Sequence, residues 1–171
     1  MNQEIITIKT ARTKEIESEL ARELDAMDVY GCKEVTLRNP NYEANKERVD
    51  YVTFNTKGII RCYEIKVTES DLNSKNKLSF WGDYNYLVLP KDLYDTLYAK
   101  ADKELKDAPD HISVFSYILF GNAGIITYDF KYHRFKHEKN ATKCTVSIAG
   151  RVEVIESFAR SASKQLMQTY Y

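Results

Sequence analysis

Apolar residues recur every three or four positions in three parts of this chain, which is the spacing of amphipathic helices. In the first part, Ile16, Leu20, Leu24 and Met27 lie on one predicted helical face. The predicted helices cover residues 13–27, 91–105 and 151–166. Each carries an apolar stripe, which indicates a helix that packs by one side against a core.

Segments rich in β-branched and aromatic residues lie between these helices and predict strands. The predicted strands cover residues 33–38, the two runs on either side of residues 55–58, and residues 86–90, 111–120 and 123–129. Residues 39–47 and 70–85 are more polar, and they predict a surface loop and a loop with a short helix. The mixture of strands and helices favours an α/β layered fold, and the length favours a single domain over residues 1–171.

The sequence "NTKG" at residues 55–58 closes a predicted β-hairpin. A type I turn with Gly58 in the left-handed conformation is a common way to close such a loop, and it fixes the register of both strands. In that register Asp50 lies opposite Glu64. Because strand side chains alternate between faces, Lys66 points the same way as Glu64. Three charged groups are therefore predicted to converge at one end of the hairpin.

The composition gives the protein no net charge at neutral pH, because 25 Lys and Arg residues balance 25 Asp and Glu residues. A nucleic-acid partner would therefore need a local basic surface. Cys32, Cys62 and Cys144 form no C-x-x-C pair, which argues against a zinc or iron–sulfur site and favours a reducing, cytoplasmic compartment. The sequence has no secretory signal pattern and no apolar run of membrane length, so we expect no membrane insertion.

Two carboxylates side by side repel each other unless a proton or a cation lies between them. Mg²⁺ or Mn²⁺ suits such a site, because hard cations prefer oxygen ligands. A bound ion and Lys66 would together stabilise charge on a phosphate, so the predicted convergence with Asp50 and Glu64 indicates phosphodiester hydrolysis. The alternative is a surface hairpin whose outer face carries a cross-strand cluster of ion pairs.

The order of these motifs resembles that of the PD-(D/E)XK nuclease superfamily, in which an aspartate precedes a hairpin and an E-x-K sequence. The segments "VDYVTFNTKGIIRCYEIKVTESDL", "DYNYLVLP", "AGIITYD" and "ESFARSASKQL" are similar to the bacterial and phage MmcB-like DNA-repair group, over about residues 13–166. The residue before Asp50 is Val49, where the named motif has proline. The resemblance implies a restriction-endonuclease-like αβββαβ core, with a mixed central sheet flanked by helices.

The resemblance also implies a function and a set of site residues. The expected function is hydrolysis of DNA with Mg²⁺ or Mn²⁺, in repair, recombination or phage DNA metabolism. Asp50 and Glu64 take the places of the metal-binding carboxylates, and the backbone carbonyl of Ile65 that of a further ligand. Lys66 takes the place of the catalytic lysine.

The family usually contributes one more acid from the first helix. On a helical wheel, Glu19 and Glu23 lie at the edges of the apolar stripe, whereas Glu15 points away. Glu19 is the preferred catalytic candidate, because the acid of similar nucleases lies early in this helix. The alternative is that both residues only solvate the flank of the stripe.

The candidate nucleic-acid contacts are basic residues in two segments: Lys75, Lys77, Lys131, Arg134 and Lys136. The first two follow the E-x-K strand, where ammonium groups could contact phosphates or simply be solvated. The other three alternate with aromatic residues, a pattern that could follow a nucleic-acid backbone or protect an exposed strand edge by charge.

Two other functions are compatible with the same sequence. A catalytically inactive nucleic-acid-binding or assembly protein would keep the fold without the metal chemistry. A structural or inhibitory protein would bind another protein through some of its 13 tyrosines. The sequence leaves open whether the substrate is DNA or RNA and whether the active form is a homodimer.

Overall fold

The computed structural model describes residues 10–38, 46–74, 78–107 and 112–170. The strands within these residues are β1 (Val29–Arg38), β2 (Lys46–Asn55), β3 (Ile60–Ile65), β4 (Tyr84–Pro90), β5 (Gly124–Asp129) and β6 (Arg134–Lys139). The helices are α1 (Ala11–Glu23), α2 (Glu69–Leu72), α3 (Lys91–Asp107), α4 (Val114–Phe120) and α5 (Ile148–Gln168). A single mixed sheet flanked by helices results, which confirms the predicted α/β class. Among these helices, none combines the length and apolar character that a membrane span requires.

The six strands lie in the sheet in the same order as along the chain. β1, β2 and β3 are antiparallel in turn, β3, β4 and β5 run parallel, and β6 returns antiparallel to β5. The carboxyl ends of the three parallel strands, at Ile65, Pro90 and Asp129, therefore lie along the same edge of the sheet. We call this the carboxyl edge. In open α/β sheets, ligands bind outside this end of the strands.

The β2–β3 hairpin has the predicted register, because Tyr51 lies opposite Tyr63. Gly58 adopts the left-handed conformation with a φ of 73°, and its amide donates to the carbonyl of Asn55 at 2.8 Å. Glycine has no Cβ and tolerates this conformation without strain. The turn therefore fixes which residues of the two strands face each other.

Strand side chains alternate between the two faces of the sheet and divide the core between different helices. On one face, α1 inserts Ile16 and Leu20 against a cluster that includes Tyr63. On the other face, α5 packs on a cluster that includes Cys62, and α3 and α4 pack on β4 and β5. We call these the α1 face and the α5 face. Because Glu64 follows Tyr63 in β3, its side chain points to the α5 face.

The predicted strand over residues 111–120 is wrong, because most of this segment forms α4. The side chain of Ser113 caps the helix by accepting a hydrogen bond from the amide of Ser116 at 3.2 Å. Phe115 and Ile118 are buried on one side of the helix. The β-branched and aromatic content indicated a strand, but burial at helical spacing and a good cap favour the helix here.

The other predicted helices and strands are confirmed with shifted ends. β1 begins at Val29 rather than at residue 33, so a segment expected to link helix and strand belongs to the sheet. α1 ends at Glu23 rather than at residue 27. Most of the predicted loop over residues 39–47 lies outside the described residues, and its last two residues begin β2.

An ion pair between Asp83 and Arg151 joins the sheet to α5. The two guanidinium nitrogens donate to the carboxylate at 3.0 and 2.7 Å, and the same carboxylate accepts from the amide of Ile60 at 2.8 Å. Arg151 also donates to the carbonyl of Gly58 at 2.6 Å. These contacts hold the β2–β3 turn against α5. The hydrogen bond from Arg151 lowers the pKa of Asp83 below its ordinary value.

Replacing Asp83 by Asn should lower the free energy of unfolding at neutral pH by about 2–4 kcal/mol, because Arg151 loses a buried anionic partner. The pKa of Asp83 is lower in the folded state, so its ionisation stabilises the fold above the unfolded value of 3.8. This contribution is lost as the pH falls through the folded-state pKa. The melting temperature of Asp83→Asn should therefore change less between neutral and acid pH than that of the wild type.

The matched control is Asp102→Asn, which removes an exposed pair with Lys106 on α3. Its free energy of unfolding should change by less than about 0.5 kcal/mol. Equal acid dependence in the wild type and in Asp83→Asn would contradict the assigned role.

Candidate functional site

Asp50, Glu64 and Lys66 are neighbours at the carboxyl edge. Asp50 lies in β2, Glu64 is the penultimate residue of β3, and Lys66 follows that strand. The backbone pairing of β2 with β3 ends at Tyr51 and Tyr63, and Asp50 and Glu64 are the next residues of the two strands. Oδ2 of Asp50 accepts a hydrogen bond from the backbone amide of Ile65 at 2.8 Å, so this carboxylate lies directly against the end of β3. The structure thus brings together the three side chains that the hairpin pattern predicts to converge.

Glu64 is a buried carboxyl group, with only 2% of its surface exposed. Its Oε1 accepts a hydrogen bond from the amide of Ser79 at 3.3 Å. Burial and, to a lesser extent, the charge of Asp50 raise the pKa of Glu64 to about 8, against the opposing effects of Lys66 and the Ser79 hydrogen bond. Without a bound metal ion, this raised pKa favours the protonated form of Glu64 at neutral pH.

Lys66 is held beside an acidic residue of α2. Its Nζ lies 3.6 Å from Oδ1 of Asp71, and the lysine is 6% exposed. Thr68 caps α2 by accepting a hydrogen bond from the amide of Asp71 at 3.1 Å, which fixes the start of this short helix. No role was predicted for Asp71 from the sequence. A threonine followed three residues later by an aspartate, directly after the E-x-K strand, is the signal that could have indicated it.

The carboxylates of Asp50 and Glu64 are oxygen donors at this point, and the main-chain carbonyl of Ile65, the third predicted ligand, belongs to the last residue of β3. Hard divalent cations prefer such ligands, so these residues fit Mg²⁺ or Mn²⁺. A cation would also offset the repulsion between the two carboxylates. Within the described parts of the chain, no group of three His, Cys, Asp or Glu side chains is close enough to hold a metal. Mg²⁺ commonly keeps waters and substrate phosphates as its remaining ligands.

The structure does not bring Glu19 to this cluster. Ile16 and Leu20 of α1 pack on the face of the sheet that carries Tyr63, whereas the side chain of Glu64 points to the opposite face. Both carboxylate oxygens of Glu19 accept hydrogen bonds from Nη1 of Arg22, at 2.8 and 2.9 Å. The other candidate, Glu23, is exposed at the end of α1. A helical wheel shows which side of a helix faces the core, but it does not show which face of the sheet the helix covers.

Tyr128 forms a second polar cluster near the carboxyl end of β5, on the α1 face. Its buried hydroxyl donates to Oε1 of Glu15 at 3.2 Å and lies 3.1 Å from Nδ1 of His133. Burial, followed by the hydrogen bond to Glu15, raises the pKa of Tyr128 to about 12. These contacts hold the β5–β6 turn against α1. The helical wheel predicted that Glu15 points away from the apolar stripe, whereas the carboxylate reaches Tyr128, a residue 113 positions away with which it shares no motif.

Basic side chains surround an exposed tyrosine in the β5–β6 turn. Nζ of Lys131 and the guanidinium carbon of Arg134 lie 5.1 and 5.2 Å from the centre of the Tyr132 ring. We call these three residues the basic turn. It follows β5 at the carboxyl edge, and β5 is two strands away from β3. At a strand spacing of about 4.8 Å, the strands β3 and β5 are about 10 Å apart.

The other predicted nucleic-acid contacts are Lys136, Lys75 and Lys77. Lys136 lies in β6, and its ammonium group pairs with Glu138 at 2.8 Å. Lys75 and Lys77 lie outside the described residues. The basic turn is therefore the part of the predicted basic surface whose position can be related to Asp50 and Glu64.

Comparison with known proteins identifies a structural likeness. No protein-family model and no curated protein matches the chain. Among solved structures, the chain is similar to the SPO1766 protein of unknown function from Silicibacter pomeroyi, with a TM-score of 0.65. The sequence identity is 17%, over 95% of this chain and 94% of that chain. At this identity the likeness concerns the fold alone, and it agrees with the mixed sheet flanked by helices.

Replacing Glu64 by Gln should stabilise the protein in the absence of divalent ions, because an amide keeps the shape without the cost of a buried charge. The folded-state pKa of about 8 exceeds the unfolded value of 4.5, so the cost is absent at lower pH and grows as the pH rises between these values. We expect the free energy of unfolding to rise by about 1–3 kcal/mol near pH 8 and to change little near pH 4. Urea denaturation in a metal chelator would measure both values.

Glu19→Gln is the control, because the carboxylate of Glu19 pairs with Arg22 near the surface. It should change the free energy of unfolding by less than about 0.5 kcal/mol. A stability difference in Glu64→Gln that is independent of pH would contradict the burial of an ionisable group there.

Proposed function

We propose that the protein is a cytoplasmic, metal-dependent nuclease of the PD-(D/E)XK type, related to the MmcB-like DNA-repair group. It hydrolyses phosphodiester bonds in DNA, in repair, recombination or phage DNA metabolism. The observation that supports this function is the meeting of Asp50, Glu64 and Lys66 at the carboxyl edge. Glu64 and Lys66 are 2% and 6% exposed, and Asp50 and Asp71 both act on the pKa of Glu64. The side chains of a cross-strand ion-pair cluster on a surface would be exposed instead.

Each residue of this group has a distinct part in the proposed reaction. Asp50, Glu64 and the carbonyl of Ile65 hold the divalent ion. When bound, the ion lowers the pKa of a water molecule and offsets charge on the scissile phosphate. Glu64 loses its proton when it becomes a ligand. Lys66, fixed beside Asp71, orients the water or neutralises the charge that develops on the phosphate.

The basic turn provides a second contact with the substrate in this proposal. It lies on the same edge of the sheet as Asp50 and Glu64, and Lys131, Tyr132 and Arg134 are exposed. Lysine and arginine contact backbone phosphates regardless of sequence, and an exposed tyrosine can stack on an unpaired base. Because the protein has no net charge, such a local surface is needed to attract DNA.

A second candidate function is a nucleic-acid-binding or assembly protein with the same fold and no catalysis. We call Asp50, Glu64 and Asp71 the acidic group, and its internal contacts favour this second function: Lys66 pairs with Asp71, and Glu64 accepts a hydrogen bond from Ser79. In such a protein the acidic group would only repel DNA. Removing the carboxylate of Asp50 would then leave the affinity for DNA unchanged or increase it.

Asp50→Asn and Glu64→Gln should each remove the binding of Mg²⁺ or Mn²⁺, measured by calorimetry. Lys66→Met should retain metal binding, because the lysine is not a ligand. All three variants should lower the rate of DNA cleavage by about 10²–10⁴-fold, since each removes a group that acts on the transition state. Supercoiled, linear duplex and single-stranded DNA should be assayed, because the strand structure of the substrate is open.

The matched controls are Asp102→Asn and Lys103→Met, two exposed positions on α3. Both should behave as the wild type in metal binding and cleavage. Metal-dependent cleavage that persists in Asp50→Asn and Glu64→Gln would overturn the proposed site. A wild-type protein that binds DNA but binds no divalent ion in its presence would favour the second candidate function.

Lys131→Ala and Arg134→Ala should each weaken DNA binding and reduce the slope of log affinity against log salt concentration by about 0.7–0.9, because each removes one phosphate contact. Tyr132→Ala should weaken binding to single-stranded DNA more than to duplex DNA. Fluorescence anisotropy at several salt concentrations would measure both effects.

Lys164→Ala, an exposed lysine on α5, is the control and should leave the salt dependence unchanged. If Lys131→Ala and Arg134→Ala behave as this control does, the basic turn does not contact DNA.

A further inference from the structure

Helix α4 exposes several large apolar side chains. Val114, Tyr117 and Phe120 recur at helical spacing and are 41%, 77% and 59% exposed. Ile112, just before the helix, is 56% exposed. We call these four residues the α4 patch. Contiguous apolar surfaces of this kind commonly mark interaction sites.

A cavity of about 550 Å³ adjoins the α4 patch, and all four patch residues form part of its wall. Leu78, Phe80, Ala123 and Cys144 also line it. Its volume falls in the range of pockets that hold organic ligands, so an aromatic side chain fits inside. The same surface thus presents protruding aromatic rings and a depression that can receive one.

Residues 112–124, which form the patch, include no Asp, Glu, Lys, Arg or His. Charged groups that contact this segment include Glu104, which accepts hydrogen bonds from Ser113 and Ser116, and Lys139, which donates to the carbonyls of Ile118 and Ala123. A charged partner would lose hydration against this surface without gaining an ion pair, whereas a neutral apolar partner would not. When two copies meet through the same surface, groups on the two-fold axis face their own copies, and a segment without charged side chains avoids like-charge repulsion there.

The exposed area is sufficient for the centre of a stable interface. An aromatic side chain offers about 150–250 Å², so the exposed fractions of Tyr117 and Phe120 amount to roughly 200–350 Å² per copy. A standard interface buries about 800 Å² per partner, with an apolar centre and a polar rim. Ile112, Val114 and the cavity wall extend this centre.

We propose that the α4 patch is the contact surface of a symmetric homodimer, in which Tyr117 of each copy enters the cavity of the other. The cavity is lined by Asn85 and Ala123, at the amino ends of β4 and β5. It therefore lies at the edge of the sheet opposite the carboxyl edge. A dimer formed there leaves the carboxyl edges of both copies accessible, and it does not depend on the proposed nuclease activity.

Sedimentation equilibrium on the full chain, from about 1 to 200 µM, tests this dimer. The wild type should show a monomer–dimer equilibrium. Tyr117→Glu should raise the dissociation constant at least about tenfold, because each copy would then carry a carboxylate into an apolar cavity of the other. Phe120→Glu should act in the same direction. Hydrogen exchange of the α4 amides should slow as the wild-type concentration rises.

Tyr170→Glu is the matched control, since Tyr170 is 71% exposed and lies outside the patch. It should leave the dissociation constant unchanged. Circular dichroism and thermal unfolding at low concentration should be the same for all variants, because the substituted side chains are exposed in the monomer. A wild type that stays monomeric at about 200 µM, or a dimer that Tyr117→Glu and Phe120→Glu leave intact, would overturn the proposal, even if another protein or a small apolar molecule fills the cavity.

Discussion

The register of the β2–β3 hairpin is the constraint on which the candidate site depends. A shift of one residue would turn each side chain of β3 to the opposite face, and Glu64 would enter the apolar cluster beneath α1. Two features hold the register: the left-handed Gly58 in the turn, and the contacts of Arg151 and Asp83 with the start of β3. The contacts at the turn of the hairpin thus determine which charged side chains meet at its other end, the open end.

The charges at the open end reduce the stability of the fold that positions them. Glu64 and Lys66 are both nearly inaccessible to water, although buried ionisable groups stabilise a protein only when fully compensated. Lys66 pairs with Asp71, whereas burial, and after it the charges of Asp50 and Asp71, raise the pKa of Glu64 against the effect of Lys66. A divalent cation beside Glu64 would offset the cost of ionising this buried carboxyl group, which is the physical reason to propose a metal ion at this position.

The sequence predicted those parts of the fold and the site that depend on local rules. Turn geometry placed Asp50 opposite Glu64, and alternation placed Lys66 beside them, because both rules act over a few residues. Features that depend on tertiary packing were missed. The position of Glu19 follows from the sheet face that α1 covers, and no local pattern encodes that choice. Likewise, the strand prediction for α4 followed residue preferences, which packing and the cap at Ser113 overrode.

The parallel order of β3, β4 and β5 gives the two edges of the sheet different chemistry. The carboxyl edge carries the acidic group and the basic turn, while the amino edge of β4 and β5 carries the uncharged α4 patch. A protein with no net charge gains little long-range attraction for DNA, so the proposed DNA contact would depend on the basic turn. A dimer joined at the α4 patch directs both carboxyl edges away from the shared interface, so DNA bound at one edge is not brought close to the other. The proposed dimer and the proposed DNA contact would therefore act independently of each other.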